Sequence, residues 1–330
     1  MKILAGDIGG TKTRLTLYQS KGNELLPARG EVFPSPSYSS LEEIIDQFLP
    51  IDSKDLGCAG FGVAGPVVDG VCKTTNLSWV VELKKLQKQL GIPEVFLMND
   101  LQAAAFGIPF LAEEDLLVLN PGKKQLTGNI GVIAAGTGLG EAFLGWDEKG
   151  YRPFPSEGGH TEFGPRNETE MELLAFLKKE FSHVSYERIV SGPGLYNIYR
   201  FFRQTGNREE PAWLSERMEG EDPPKVITET ALEGKDEVCQ KTLALFVSVY
   251  GAEAGNLALK TLATGGIYIA GGIAPKIREK LSEGNFMKAF TDKGRYESLL
   301  KDIPVRVVLN KQAALTGAAQ YALNMSKPKT

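Results

Sequence analysis

Histidine and cysteine are scarce in this 330-residue chain, which has two histidines, His160 and His183, and three cysteines, Cys58, Cys72 and Cys239. The cysteines are odd in number and share no C-x-x-C spacing, so neither a disulfide framework nor a structural zinc site is supported. They are expected to be small buried hydrophobes. Two histidines also leave little room for a histidine-based metal centre. Long apolar runs are missing: no stretch approaches the 18 residues of a membrane span, and the N-terminus opens on a strand-like run without the segments of a secretory signal. The expectation is a cytoplasmic protein with no membrane partner. A long basic run is absent as well, and a net charge of −4 lacks the electrostatic footprint of a nucleic-acid binder. What remains is ordinary for a globular chain, 42% hydrophobic and 24% charged residues, at a length that suits roughly two domains.

Glycine is plentiful, and two glycine-rich turns of matching layout stand out: Gly6-Asp7-Ile8-Gly9-Gly10-Thr11-Lys12-Thr13 and Ala134-Ala135-Gly136-Thr137-Gly138-Leu139-Gly140. Each follows a short apolar run, precedes an extended segment and reaches a second turn through Gly22 or Gly150. Both read as β-turn-β hairpins. Glycines let backbone N–H groups approach an anion without a Cβ in the way, so the pair suggests one phosphate held from two sides. Two ordinary hairpins are the plainer alternative. Neither turn matches the P-loop or the dinucleotide-binding G-x-G-x-x-G pattern. Asp7, at the mouth of the first turn with Thr11, Thr13 and Lys12 beside it, suits a hydrated Mg2+, which takes one or two carboxylates plus water and phosphate.

Further along, Leu41 to Leu49 reads as a helix capped by Ser39 or Ser40, and Leu56 to Ala64 as a buried strand. Val67 to Cys72, turning at Asp69-Gly70, is expected to extend the same sheet. Leu83 to Leu90 is helical and stops at Gly91; Val95 to Met98 is a short strand delivering Asn99-Asp100 to a helix from Leu101 to Phe106. Ligands of α/β domains bind beyond the carboxyl ends of strands, so Asp100 is a candidate general base for an alcohol proton, with a helix N-cap as the competing role. After a hinge near Pro109 to Glu114 come a strand at Leu116 to Leu119 and the second glycine hairpin. Met171 to Glu180 is expected to be helical, and Tyr199 to Pro224 irregular surface helices and loops. Glu237 to Leu262 is a long helix in which Gly251 and Gly255 mark close packing or a ligand-facing surface. Ile267 to Ala270 is a strand ending in Gly271-Gly272, open to a flat adenine or ribose. Val305 to Leu309 is a last strand and Gln312 to Leu323 a helix crossing back to the first domain.

Glu157-Gly158-Gly159-His160 has Glu-x-x-His spacing, but two glycines make an α-helix unfavourable. A loop presenting Glu157 and His160 to a polar ligand fits better, each group reading a separate sugar hydroxyl. A hydrogen-bonded structural histidine is the alternative for His160. His183 and Glu187 share a candidate helix face, with His183 read as exposed structure.

These blocks, together with Thr75-Asn76-Leu77-Ser78-Trp79 and Glu187-Arg188-Ile189-Val190-Ser191-Gly192, occur in the order and spacing of bacterial ATP-dependent glucokinases, which the chain resembles over nearly its whole length. The resemblance implies an α/β, two-domain actin-like ATPase fold of the hexokinase type, built on ribonuclease H-like halves with a ligand cleft between domains. The domains would be 1–110, completed by a helix at about 311–324, and 111–310. It implies phosphorylation of glucose to glucose 6-phosphate with ATP and Mg2+, Asp100 removing the proton of the 6-hydroxyl. Asn99, Asp100, Glu157, His160 and Glu187 match sugar-holding positions. Asp7, Gly9, Gly10, Thr11 and Lys12 lie near the ATP phosphates, with Asp7 holding Mg2+ through water. Thr137 and Gly138 would hold phosphate, and Gly271 and Gly272 would border the adenosine. A homodimer is implied. A related branch carries a Cys/His zinc motif after its Glu-x-x-His segment; Phe163-Gly164-Pro165 here has no cysteine, which excludes that branch and its zinc. The rival readings are a kinase of mannose, fructose or an amino sugar, and a sugar sensor or ATP-driven switch on the same fold. A regulator would need a DNA-binding segment and an Hsp70-like switch a further domain, and neither is expected here.

Overall fold

Both glycine turns join neighbouring strands. In the computed structural model, which describes every residue except Asn23, 50–54, Thr75, Asn76, Lys124, Lys149, Asn207, Arg208 and 328–330, the chain divides into two units. One comprises Met1–Glu113, Ala142–Pro155 and Asn310–Thr330; the other Glu114–Glu141 and Ser156–Leu309. Thr75 and Asn76 of the motif ending at Trp79 thus lie outside the described residues.

The first unit is built on β1 (Lys2–Ile8), β2 (Lys12–Lys21), β3 (Glu24–Pro34), β4 (Leu56–Val63) and, after three short strands, β8 (Val95–Asn99), in the order β3-β2-β1-β4-β8. The first three form an antiparallel meander, and β1, β4 and β8 run parallel. Helices cover the sheet, so β4 is buried almost continuously instead of alternating. On one face α1 (Leu41–Phe48) lays down Leu41, Ile44, Ile45 and Phe48, spaced i, i+3, i+4, i+7, against Leu4, Ile8, Phe33 and Phe61. Each such side chain contributes about 1.5–3 kcal/mol by leaving water. Ser40 caps α1 by accepting from the Glu43 N–H, and α2 (Leu83–Leu90) stops at Gly91, whose φ is +67°. On the other face, the C-terminal helix Ala313–Met325 seats Ala318, Ala319, Ala322 and Leu323 on Ile3, Ala5, Cys58 and Ala103. The approach is so close that a Cβ on Gly60 or Gly107 would overlap the carbonyls of Ala318 or Ala313. The helix α3 (Asp100–Gly107) follows β8.

The segment from Val67 to Cys72 departs from expectation. Its strands β5 (Val67–Val68) and β6 (Val71–Lys73), joined by a turn with Asp69 and Gly70 at positive φ, do not extend the five-stranded sheet; with β7 (Val80–Glu82) they make a separate three-stranded sheet. The hairpin is set by local turn chemistry, whereas its partner strand is a matter of tertiary pairing.

The second sheet runs β12 (Gly150–Ser156), β11 (Leu139–Asp147), β10 (Ile130–Ala135), β13 (Gly266–Ala270), β14 (Val305–Val308), β9 (Leu116–Asn120). Its first five positions repeat the order of the first sheet, three sequential strands and then two from later in the chain, with β10, β13 and β14 parallel. Packed around it are α4 (Glu168–Leu177), α5 (Gly192–Thr205), α6 (Ala212–Gly220), α7 (Pro223–Leu232), α8 (Glu237–Thr261), α9 (Arg278–Ser282), α10 (Asn285–Thr291) and α11 (Glu297–Asp302). The segment from Tyr199 is not irregular at its start: α5 runs through to Thr205, with Tyr199 and Phe201 buried. α4 begins at Glu168, where Asn167 caps it, and ends at Leu177. α8 is long and apolar enough to cross a membrane, contrary to the expectation from run lengths, but 72% of its most apolar window is buried within the protein, as in a core helix. Its Gly251 and Gly255 do mark close packing: a Cβ at either would run into the α10 backbone, at Phe286 and Phe290. Cys58, Cys72 and Cys239 are all buried.

Candidate active site

In the first unit, Ile8 of β1 and Asn99 of β8 both register on Val63 of the strand between them. Two strand spacings separate the carboxyl ends that carry Asp7 and Asp100, about 10 Å. The turn after β1 is closed by the Gly9 N–H donating to the Lys12 carbonyl at 3.0 Å and tied down by the Ser35 hydroxyl donating to the Gly9 carbonyl at 2.8 Å. Thr11 and Lys12 are exposed, while Gly9 and Gly10 are half-buried. Thr13 departs from expectation: it is buried with its hydroxyl on that of Ser35, 3.0 Å away, and does not line the mouth of the turn.

Asp7 stands directly opposite Arg14 in the β1–β2 register, and its Oδ2 accepts from Arg14 Nη1 at 2.9 Å. Burial pushes the Asp7 carboxyl up, and the Arg14 guanidinium pulls it back. No group of three or more metal-ligating side chains exists among the described residues. A single carboxylate beside a glycine turn fits Mg2+ held mainly through water and phosphate and does not fit a protein-caged metal.

The cap of α3 is Asn99, not Asp100. Asn99 Oδ1 accepts from the N–H groups of Leu101 (2.9 Å) and Gln102 (3.3 Å), and the Gln102 side chain accepts in turn from the Asn99 N–H, completing a capping box. Asn99 Nδ2 donates to the Gly65 carbonyl at 3.2 Å, which engages one of its two amide hydrogens. Asp100 is therefore the first residue of the helix proper, half-buried, with Oδ1 accepting from the Leu101 N–H at 2.8 Å. The positive end of the helix favours negative charge there.

The second unit assembles another group of the singled-out residues. The glycine turn between β10 and β11 closes with the Gly136 N–H on the Gly138 carbonyl, and the Gly192 N–H at the start of α5 donates to the Gly136 carbonyl. Glu187 Oε2 accepts from the Leu139 N–H at 2.9 Å and lies against Gly138, where a Cβ would strike it. Gly271 has φ +86° and sits on the Ala135 carbonyl, so it serves the backbone of this turn, while Gly272 is open and exposed, as is Thr137. Residues 158–160 make one 3₁₀ turn instead of an open loop, closed by the His160 N–H on the Glu157 carbonyl. Gly159 lies on the Leu139 carbonyl too closely for any side chain. Glu157 and His160 are exposed, and His160 Nδ1 is 3.8 Å from Glu187 Oε1. His160, Glu187, Thr137, Gly138 and Gly271 thus share one corner of the unit. His183 and Glu187 share no helix, since only residues 186–188 form a short 3₁₀ turn; exposed His183 meets the His160 carbonyl through Nε2 at 2.8 Å.

Several supports of these groups carry little signal in the sequence. Arg14 is findable as the cross-strand partner of Asp7 once the hairpin register is drawn. Ser35 and His183 act through backbone carbonyls and leave no pattern. Glu141 and Glu253, buried carboxyls on β11 and α8, lie far apart in sequence, and only a charge inside each apolar run hints at them.

The glucokinase family model matches residues 4–325. The chain belongs to the glucokinase family. It is 44% identical to the glucokinase of Nostoc punctiforme over 98% of its own length and 99% of that protein's. Among solved structures, a glucokinase from an Antarctic psychrotroph superposes with a TM-score of 0.87 at 31% identity, covering 98% of this chain and 99% of the other. A ROK family glucokinase from Streptomyces griseus, crystallised with glucose and AMPPNP, shares the fold at a TM-score of 0.64 and 22% identity, covering 98% of this chain and 100% of that one. The fold is the two-domain actin-like ATPase fold of these sugar kinases.

Proposed function

We propose that this chain transfers the γ-phosphoryl group of ATP to the 6-hydroxyl of glucose, with Asp100 as the general base. The observation that carries the assignment of the base is the division of labour at the end of β8: Asn99 caps α3, so Asp100 stands at the strand end without being the cap. In phosphoryl transfer the protein mainly positions the reactants and neutralises charge, while one carboxylate receives the hydroxyl proton. In a turn closed by the Gly9 N–H, the backbone N–H groups of Gly10 to Lys12, together with those of Thr137 and Gly138, would cradle phosphate oxygens, with Lys12 adding charge. Mg2+ would be held through water by Asp7, supplying charge neutralisation at the phosphates. Asn99, Glu157, His160 and Glu187 would bind the sugar hydroxyls, and Gly271 and Gly272 would border the adenosine, Gly272 leaving an open surface. The same reading makes the protein a cytoplasmic homodimer.

The test is ADP release with Mg-ATP and a panel of hexoses, run beside Asp100→Asn. Glucose should be the preferred acceptor, and the variant should lose roughly 100-fold or more in kcat, with glucose affinity within roughly tenfold. Turnover strongest with another hexose would move the substrate assignment, and a fully active Asp100→Asn protein would remove the base.

A further inference from the structure

Beneath the Glu157–His160 turn lies a buried carboxyl pair for which the glucose reading has no use. Glu141 on β11 is 2% exposed and Glu253 on α8 is 0% exposed. The two are unequally provided for. Glu253 accepts from Lys260 Nζ at 3.0 Å and from Asn256 Nδ2 at 2.7 Å, and Asn256 in turn accepts from Lys293 Nζ at 2.6 Å and donates to the Tyr186 hydroxyl at 3.1 Å. Glu141 Oε1 has no hydrogen-bond partner among the described residues, and its Oε2 is pressed against Gly158, where a Cβ would overlap it. An ionised carboxylate in that position would be desolvated, unpaired and beside a second anion, a heavily penalised arrangement. A neutral acid escapes the penalty. With the proton in place, Oε1 can remain a carbonyl oxygen, whose lack of a partner costs far less.

From this geometry we infer that Glu141 is a positioning residue, protonated in the working enzyme, whose neutral carboxyl seats the Gly158–His160 turn and so holds Glu157 and His160 in place for the sugar. The inference rests on the glucose reading of those two residues. The turn has no slack: Gly158 abuts the carboxyl and Gly159 abuts the Leu139 carbonyl, so a Glu141 that ionises and recruits water can do so only by lifting the turn. Burial first, and then the negative charge of Glu253, push the Glu141 carboxyl up to about 8, while Lys260 pulls it down. The groups facing the pair are Glu253, Lys260 and Tyr250 from α8, Tyr186 from the turn before α5 and, beyond Asn256, Lys293, itself held down by burial and by Arg166. Lys260 is half-exposed at 51% and already compensates Glu253. A bound cation is therefore not needed, and a proton is.

The experiment measures glucose binding by calorimetry, and KM and kcat by ADP release, from about pH 6.5 to 9.5 for the wild-type chain, Glu141→Gln and Lys260→Gln. In the wild type, Kd and KM for glucose should rise roughly threefold or more across the titration near pH 8, with kcat changing less. Glu141→Gln, whose amide imitates the protonated acid, should flatten that rise while keeping the affinity seen at neutral pH. Lys260→Gln removes a cation that favours ionisation, so its inflection should move to higher pH by a few tenths of a unit or more. Glucose binding with the same pH profile in wild type and Glu141→Gln overturns the proposal alone. An inflection that stays in place in Lys260→Gln overturns it even if Glu141→Gln does not fold. No glucose binding at any pH would remove the sugar reading and the proposal together.

Discussion

Replacing Gly255 of α8 by alanine tests how tightly the second unit is built. In an open helix the change would stabilise by about 1 kcal/mol, because alanine loses less backbone entropy on folding. Here the new Cβ would stand 2.5 Å from the Phe290 carbonyl oxygen of α10. Ordinary contact begins near 3.4 Å, so the α10 backbone must retreat by roughly 0.9 Å. It has little room, because Phe286 and Phe290 are fully buried and stacked on each other with ring centroids 6.5 Å apart. Overpacking costs about 1–3 kcal/mol, and a clash with backbone atoms that cannot rotate away belongs in the upper half of that range, above the propensity gain. The net expectation is a loss of about 1–2 kcal/mol. Gly220, the last residue of α6, has nothing within 4 Å of the position a Cβ would take, so Gly220→Ala should gain a few tenths to about 1 kcal/mol. Thermal unfolding followed by circular dichroism compares the two. At about 2–4 °C per kcal/mol for a unit of this size, the variants should diverge by several degrees in opposite directions. Equal shifts, or a stabilised Gly255→Ala, would refute the packing argument.

Asn99→Ala should lower stability by about 1–2 kcal/mol through loss of the α3 cap, whereas Asn99→Asp, which keeps the cap but sets an acceptor against the Gly65 carbonyl, should recover only part of the melting temperature and leave the glucose KM raised; a normal KM in Asn99→Asp would remove Asn99 from the sugar contacts. Glu141 also makes stability depend on pH. Folded, it keeps its proton to about 8, whereas the unfolded chain releases it near the usual 4.5. Between those values the folded state holds a proton that the unfolded state lacks, so stability falls as pH rises through the window and levels off above it. Glu141→Gln abolishes up to about 5 kcal/mol of that decline. Urea midpoints at about pH 5.5 and 8.5 should show the variant gaining on the wild type as pH rises; a constant difference would sink the assignment of a neutral acid.

Much of the fold is legible where local chemistry decides it. The hairpins around Gly9 and Gly136, the Ser40 cap, the helix at Leu83–Leu90 with its Gly91 stop and the strand ending at Asn99 each carry their signal within a few residues. Expectation and structure part where partners are distant. Val67–Cys72 looks like a hairpin in any sheet, and only pairing with Val80–Glu82 decides which. Polar residues between Tyr199 and Pro224 conceal the buried stripe of α5. At the candidate site, Asn99 and Asp100 stand at a strand end as expected, but propensity alone cannot tell which of two adjacent capping residues caps. The Glu141–Glu253 pair shows the limit most clearly, since nothing in the separate neighbourhoods of residues 141 and 253 says that they meet.

The C-terminal helix Ala313–Met325 has a consequence for how the chain is made. The face formed by Ile3, Ala5, Cys58 and Ala103 is synthesised well before the helix that covers it. At roughly 5–20 residues per second, some 200 residues separate the end of the first unit's N-terminal stretch from its cover, a delay of roughly 10–40 s. During that interval an apolar face stands open. Of the two units, the one begun earlier is thus the one finished later, and chains stalled before Ala313 would be clients for chaperones or proteases, not partly active enzymes.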